Sequence, residues 1–311
     1  MFRVGGVDCG LWMSQEPNSE PSPSFGEAWG TAYRQLLNAW QPDVVVTAGE
    51  DWMVPILIEL AHEAGSKSAY FLDCSERPRD GIVEKVDAMV VRSCSQQEWC
   101  RKTFGVEAVL IEPVVSRPQM LCQPNQRRET YLTIVDSQAD GKPLVIARLL
   151  EVLQYRRPDI PVLLVTNRVD HEHALQQTGA RIAVDKIICV SGCVEPRDYL
   201  NETRILALPS LDGHSSDRNA AIAMMNGIPI VGSRRGTLPE LVGKSGVVLE
   251  LANRITPESQ DLPEAQDVAS WIEAIELLWD DPHARRTLGE HGVKRSQQWS
   301  VERILDQLTC L

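Results

Sequence analysis

At 311 residues, 43% hydrophobic and 24% charged, the chain is long enough to bury two cores of ordinary size and too apolar for a disordered protein. Its formal net charge of -12 sets up a long-range field that repels nucleic acid and anionic membrane surfaces. The longest apolar runs, such as Pro161 to Thr166 and Ile228 to Gly232, are strand-length and far below the roughly 20 residues of a membrane span, so no transmembrane segment is predicted.

The N-terminal stretch MFRVGGVDCGLWMSQEPNSEPSPS lacks the basic start and unbroken apolar run of a secretion signal, which points to a cytoplasmic location. The 8 cysteines have no histidines at zinc-like spacing and match no redox motif; they read as reduced and mostly buried thiols, with no metal site.

From Phe25 onward, short β-branched apolar runs alternate with longer amphipathic segments, the pattern of βα units in a parallel sheet. Predicted strands in the first half are Asp43 to Ala48, Ser68 to Asp73, Asp87 to Arg92 and Ala108 to Glu112. Helices are predicted at Gly26 to Trp40, Trp52 to Ala64 and Ser95 to Phe104. The segment Pro113 to Arg128 holds three prolines and no clean periodicity, and a new series of strands begins beyond it.

That break predicts two α/β lobes, residues 1–122 and 123–295, with residues 296–311 as a terminal helix bracing them. The second series of strands comprises Thr130 to Asp136, Pro161 to Thr166, Ile187 to Ser191, Arg204 to Leu208, Ile228 to Ser233 and Gly246 to Leu249. Its helices are Lys142 to Tyr155, Arg197 to Thr203, Ser216 to Asn226 and Val268 to Leu278. Pro282 to Leu311 carries two further helical patterns separated near Trp299, with Ser300 as the N-cap of the last.

Three stretches in this order carry a resemblance: TYLTIVDSQADGKPLVIARLLEVLQYRRPDIPVLLVTNR, VEPRDYLNETRILALPSLDG and NAAIAMMNGIPIVGSRRGTLPELVGKSGVVLEL. With PDVVVTAGED in the first half, they resemble the retaining glycosyltransferases of family 4. The resemblance implies the GT-B fold of two Rossmann-like lobes, a nucleotide-sugar donor as co-substrate with no other cofactor, and transfer of a sugar to an acceptor that the residues do not identify.

Physical logic places the donor site after the strand Arg204 to Leu208. There the loop PSLDGHSSDR feeds a helix whose first-turn N–H groups are unpaired and favour a diphosphate. Ser215 and Ser216 are candidate N-caps. Arg218 is placed to clamp one phosphate and Lys142 to neutralise another, the alternative for each being an ordinary surface cation. In the turn Arg234 to Glu240, the backbone of Gly236, Thr237 and Leu238 is a further candidate for donor contact, or else plain turn punctuation.

The family places two glutamates, seven residues apart, before and within this helix, where they bind donor hydroxyls. Alignment on Asn226-Gly227-Ile228-Pro229 puts His214 and Ile222 at those positions, and neither Asp212 nor Asp217 restores the pair. His214 retains the capacity to bond a sugar hydroxyl, whereas Ile222 reads as a packed core residue. The first lobe reads as shortened, with about 40 residues before Pro42 and only Gly5-Gly6 where the family has a glycine-rich loop.

Glu50 and Asp51 match an acidic pair at the end of the first predicted strand, and Asp73 ends the next, after Leu72 where the family often has histidine. With His214 they are the catalytic candidates; helix-start carboxylates are the alternative for the pair. Three functions follow: a retaining hexosyltransferase, a degenerate GT-B subunit that binds or scaffolds a partner transferase, and another nucleotide- or sugar-phosphate-binding α/β enzyme such as an epimerase.

Overall fold

The computed structural model describes residues 2–4, 7–9, 23–49, 52–72, 78–111, 120–122, 127–136, 143–168, 170–192, 195–211 and 217–299. Gly5, Gly6, Glu50, Asp51, Asp73, Lys142, Asp212, His214, Ser215, Ser216 and Ser300 lie outside them, as do most of the proline-rich segment and the helix predicted beyond Trp299. The chain divides into two compact units, Met1–Leu72 with Glu76–Val90, and Asp73–Ser75 with Val91–Leu311.

In the first unit a short antiparallel hairpin pairs β1 (Phe2–Val4) with β2 (Val7–Cys9). The strands β3 (Val44–Ala48), β4 (Lys67–Phe71) and β5 (Ala88–Val91) run parallel, and the four-stranded sheet is ordered β3-β4-β5-β6 with β6 at Val109–Leu110. The helices Pro23–Trp40 and Val54–Glu63 supply a small core of Trp29, Leu37 and Leu60. The starts of β4 and β5 are tied by one carboxylate. Asp87 accepts from the Ser68 amide at 2.8 Å and its hydroxyl at 3.0 Å, and lies 2.9 Å from His62 Nε2.

The second unit holds β7 (Tyr131–Asp136), β8 (Val162–Thr166), β9 (Ile187–Ser191), β10 (Thr203–Leu208), β11 (Ile230–Ser233) and β12 (Gly246–Leu249). All pairings are parallel, in the order β12-β11-β10-β7-β8-β9. Counted from β7 this is the doubly wound order 3-2-1-4-5-6.

Strand alternation sorts the side chains into two layers. Leu132, Ile134, Leu164, Ile205 and Val231 pack with the helices Leu144–Arg156 and Ala269–Asp280; Val135, Val165, Leu206, Leu208 and Ile230 pack with the helix Asp217–Met225 and with Trp299. Burial on both faces is why these strands read as continuous apolar runs.

Two predicted boundaries shift for local reasons. Thr203 opens β10 instead of closing the preceding helix, which ends at Leu200, and its buried hydroxyl lies 2.7 Å from that of Thr133. Pro229 has no N–H to give a ladder, so β11 starts at Ile230. The predicted turn Arg234 to Glu240 runs at its end into a short helix, Leu238–Val242, with Pro239 in its first turn.

The helix Pro282–Ser296 is N-capped by Asp281, which accepts from the amides of His283 at 2.8 Å and Ala284 at 3.0 Å. It lies against the helix Asp217–Met225, where a side chain on Gly289 would come 2.3 Å from the Gly227 carbonyl oxygen. No described helix is long and apolar enough to cross a membrane.

Candidate functional site

In a doubly wound sheet the ligand crevice opens beyond the carboxyl ends of the strands where the order reverses, here between β7 and β10. The connections leaving these strands contain Lys142 and His214, Ser215 and Ser216 respectively, all outside the described residues. Asp136, the last residue of β7, is buried and accepts from Arg168 Nε at 2.9 Å and from the Thr166 hydroxyl at 3.2 Å. After β10, the Ser210 carbonyl accepts from the buried Ser233 hydroxyl at 2.6 Å, tying together the exits of β10 and β11.

The helix Asp217–Met225 begins at this rim. Arg218, its second residue, is exposed, as a phosphate clamp requires. Asp217 is instead buried at 1% exposure and accepts from the Thr237 hydroxyl. A carboxylate therefore already sits in the first turn, where the aligned peptide dipoles favour negative charge. Behind it, the buried Tyr199 hydroxyl donates to Asn219 Oδ1 at 2.9 Å; burial drives its pKa far above the ordinary phenol value, and the charge of Arg218 opposes that rise. Ile222 is fully buried among Ala221, Ala223 and Met225.

The turn after β11 is held from several sides. Arg235 donates to the Ala252 and Ile255 carbonyls at 3.3 and 2.8 Å, and Gly236 has φ of 56°, a value that favours glycine. Thr237 is buried beside Asp217, and the Leu238 side chain is fully buried, packed against Gly232. Leu238 can thus face a ligand only through its backbone.

Glu240 accepts from the amides of Cys94 at 2.7 Å and Ser95 at 3.1 Å, at the start of the helix Cys94–Phe104. Burial alone would raise its pKa; the hydrogen bonds from Cys94 and Ser95 outweigh burial and hold it below the ordinary carboxylate value. A cavity of about 10 Å³, the size of a single water, is enclosed by Arg92, Ser93, Asp217, Thr237, Glu240 and Arg295.

Among the described residues no group of three or more His, Cys, Asp or Glu is arranged to hold a metal. Burial raises the Cys189 thiol to about 11, with Glu172 and Asp136 adding to the effect, and it also raises Cys100 and Cys122; such thiols are poor nucleophiles.

Of the sequence-derived candidates the structure brings Arg218, Gly236, Thr237 and Leu238 to one rim of the larger unit. It adds residues that the motif reading left without a role: Asp136 with Arg168, Asp217 as the partner of Thr237, and Glu240. A buried acid at a strand end and another at a helix start are signals visible in sequence, but their partners come from other βα units.

This architecture is that of the GT-B glycosyltransferases. The chain superposes on HepE of Anabaena, in a complex with UDP and glucose, with a TM-score of 0.69 at 16% identity, covering 94% of this chain and 83% of that one. Sucrose-phosphate synthase of Thermosynechococcus elongatus gives a TM-score of 0.67 at 15% identity, over 94% of this chain and 80% of that one. Residues 139–281 match the family described as Glycosyl transferases group 1. An MMP alpha-(1->4)-mannosyltransferase of Mycolicibacterium hassiacum is 29% identical over 182 residues, 57% of this chain and 41% of the relative, so the chain spans about two fifths of that protein's length.

Proposed function

We propose that the chain is a retaining glycosyltransferase of family 4 type, moving a hexosyl unit from a nucleotide-diphosphate donor to an acceptor hydroxyl. The observation that carries this reading is the placing of an exposed Arg218 on the first turn of the Asp217–Met225 helix, at the rim of a 3-2-1-4-5-6 sheet and inside the segment matching group 1 glycosyltransferases. As the anomeric bond breaks, charge develops on the departing diphosphate. The helix N–H groups, Arg218 and Lys142 are assigned to stabilise it, with no side-chain nucleophile. Ser215, Ser216 and the backbone of Gly236, Thr237 and Leu238 complete the donor side; His214, Glu50, Asp51 and Asp73 are assigned to the sugar and acceptor. The mannosyltransferase relative supports a hexose as the transferred unit, and the UDP complex of HepE makes nucleoside diphosphates the first ligands to test.

The test is thermal stabilisation of the chain by UDP, GDP and ADP. Ligand at a hundred times its dissociation constant stabilises by about 2.7 kcal/mol, and Arg218→Ala is expected to remove the shift. No shift with any nucleotide at millimolar concentration defeats the donor-binding reading, and a shift untouched by Arg218→Ala defeats the phosphate assignment.

A second reading is favoured by Ile222 in the core and Asp217 at the helix start: a catalytically degenerate subunit supporting a partner transferase. It predicts nucleotide binding without sugar transfer or donor hydrolysis, and a stable partner transferase on co-purification from the native cell. Turnover by the isolated chain excludes it.

A further inference from the structure

A separate cavity lies at the opposite end of the six-stranded sheet, where β10 and β11 begin. It has a volume of about 580 Å³, within the range of small-molecule sites. Strands of this length hold it roughly 15 Å from the carboxyl-end rim. Although the chain carries a net charge of -12, five lining residues, Arg127, Arg204, Arg285, Arg286 and Lys294, are basic and only two are acidic.

Their charges are poorly compensated. Of the two acids, Glu129 pairs with Arg127 at 3.2 Å, while among the described residues Arg204, Arg285, Arg286 and Lys294 form no ion pair. Arg204 and Arg285 are pinned by neutral groups. Arg204 donates to the Trp279 carbonyl at 2.8 Å and stacks 4.4 Å from the centre of its ring, and Arg285 donates to the Leu278 and Trp279 carbonyls at 2.6 and 2.8 Å.

Fixed guanidinium planes lose less entropy on binding phosphate than mobile ones. The Nε of Arg127 and of Arg204 is buried without a hydrogen-bond acceptor. Burial, followed by the neighbouring charge of Arg204, lowers the pKa of Arg285 against the opposing charges of Glu129, Asp281 and Asp280. At physiological ionic strength this local field prevails over the distant negative surface, since the Debye length is about 8 Å.

We propose that this pocket binds a small, multiply charged phosphate compound, at a site separate from the donor rim and independent of how the donor reading fares. Arg204 and Arg285 form its fixed floor, and the exposed Arg286 and Lys294 supply charge from the Pro282–Ser296 helix.

Calorimetric titration of the full chain with inorganic pyrophosphate, at constant ionic strength, tests this. Arg218→Ala, which disables the seat proposed for the donor diphosphate, is expected to retain pyrophosphate binding at this pocket. The double variant Arg286→Ala/Lys294→Ala, whose replaced side chains are exposed and outside the core, is expected to bind about tenfold or more weakly while its ligand-free melting temperature stays put. Parallel titrations with glucose 6-phosphate and ADP rank a sugar-borne or nucleotide-borne phosphate against the bare one. No pyrophosphate binding at millimolar concentration, or binding lost in Arg218→Ala and kept in the double variant, overturns the proposal.

Discussion

Asp217 places a carboxyl group beside the seat proposed for a diphosphate. It is buried in the first turn of its helix, held by the Thr237 hydroxyl, one residue from the exposed Arg218. The substitution Asp217→Asn leaves an oxygen for Thr237 and removes only the charge. UDP is then expected to bind about tenfold more tightly, a relieved repulsion of only ~1.4 kcal/mol being sufficient. Titration calorimetry reads the change, and unchanged or weaker affinity takes Asp217 out of the donor site. Ile222 was legible from sequence, because an isoleucine in a run of alanines and methionines has nowhere to go but the core. The Asp217 to Thr237 bond was not, since its partners lie 20 residues apart and meet only once β11 has been laid beside β10.

Between elements, the tightest constraint is the approach of the Pro282–Ser296 helix to the end of the Asp217–Met225 helix. Gly289 faces the Gly227 carbonyl, and a Cβ on Gly292 would stand 3.1 Å from both Met224 Cα and its carbonyl oxygen. Alanine in place of helical glycine ordinarily gains about 1 kcal/mol. At Gly289 the added carbon would lie 2.3 Å from backbone, so the helices must separate, and overpacking costs about 1–3 kcal/mol. Because that steric cost outweighs the gain in helix propensity, Gly289→Ala is expected to lower the denaturant midpoint, while Glu290→Ala on the exposed face leaves it nearly unchanged. A stabilised Gly289→Ala protein contradicts the close approach. The helix and strand positions were readable from periodicity; the glycine contact was not, because Gly289 and Gly292 resemble weak points in a helix until their neighbour is known.

Across the whole molecule, the alternation of apolar runs and amphipathic segments was enough to read two sets of parallel βα units, since buried parallel strands declare themselves without partners. The candidate site was legible only in outline: local motifs mark where a ligand belongs, while the groups that set its electrostatics arrive from separate units. Among the described residues, the response to acid rests on six hydrogen-bonded carboxylates, four of them held by neighbours within three residues. Ser68 lowers the pKa of Asp87, Arg101 that of Glu98, Arg157 that of Asp159, Thr256 that of Glu258 and the Ala284 amide that of Asp281, while Glu240 is lowered by Cys94 and Ser95 against the effect of its burial. A carboxylate whose folded pKa is depressed binds fewer protons folded than unfolded. Its stabilisation is therefore complete above the unfolded value of about 4 and drains away as pH falls through the lower folded value. The melting temperature is expected to vary little with these groups from pH 7 to about pH 5 and to fall steeply below pH 4. Asp87→Asn is expected to start from a lower plateau and to lose less on acidification, because its share of the linkage is gone. Thermal melts in steps from pH 7 to about pH 3 decide the matter: a melting temperature that holds or rises below pH 4 means that these bonds do not support the fold.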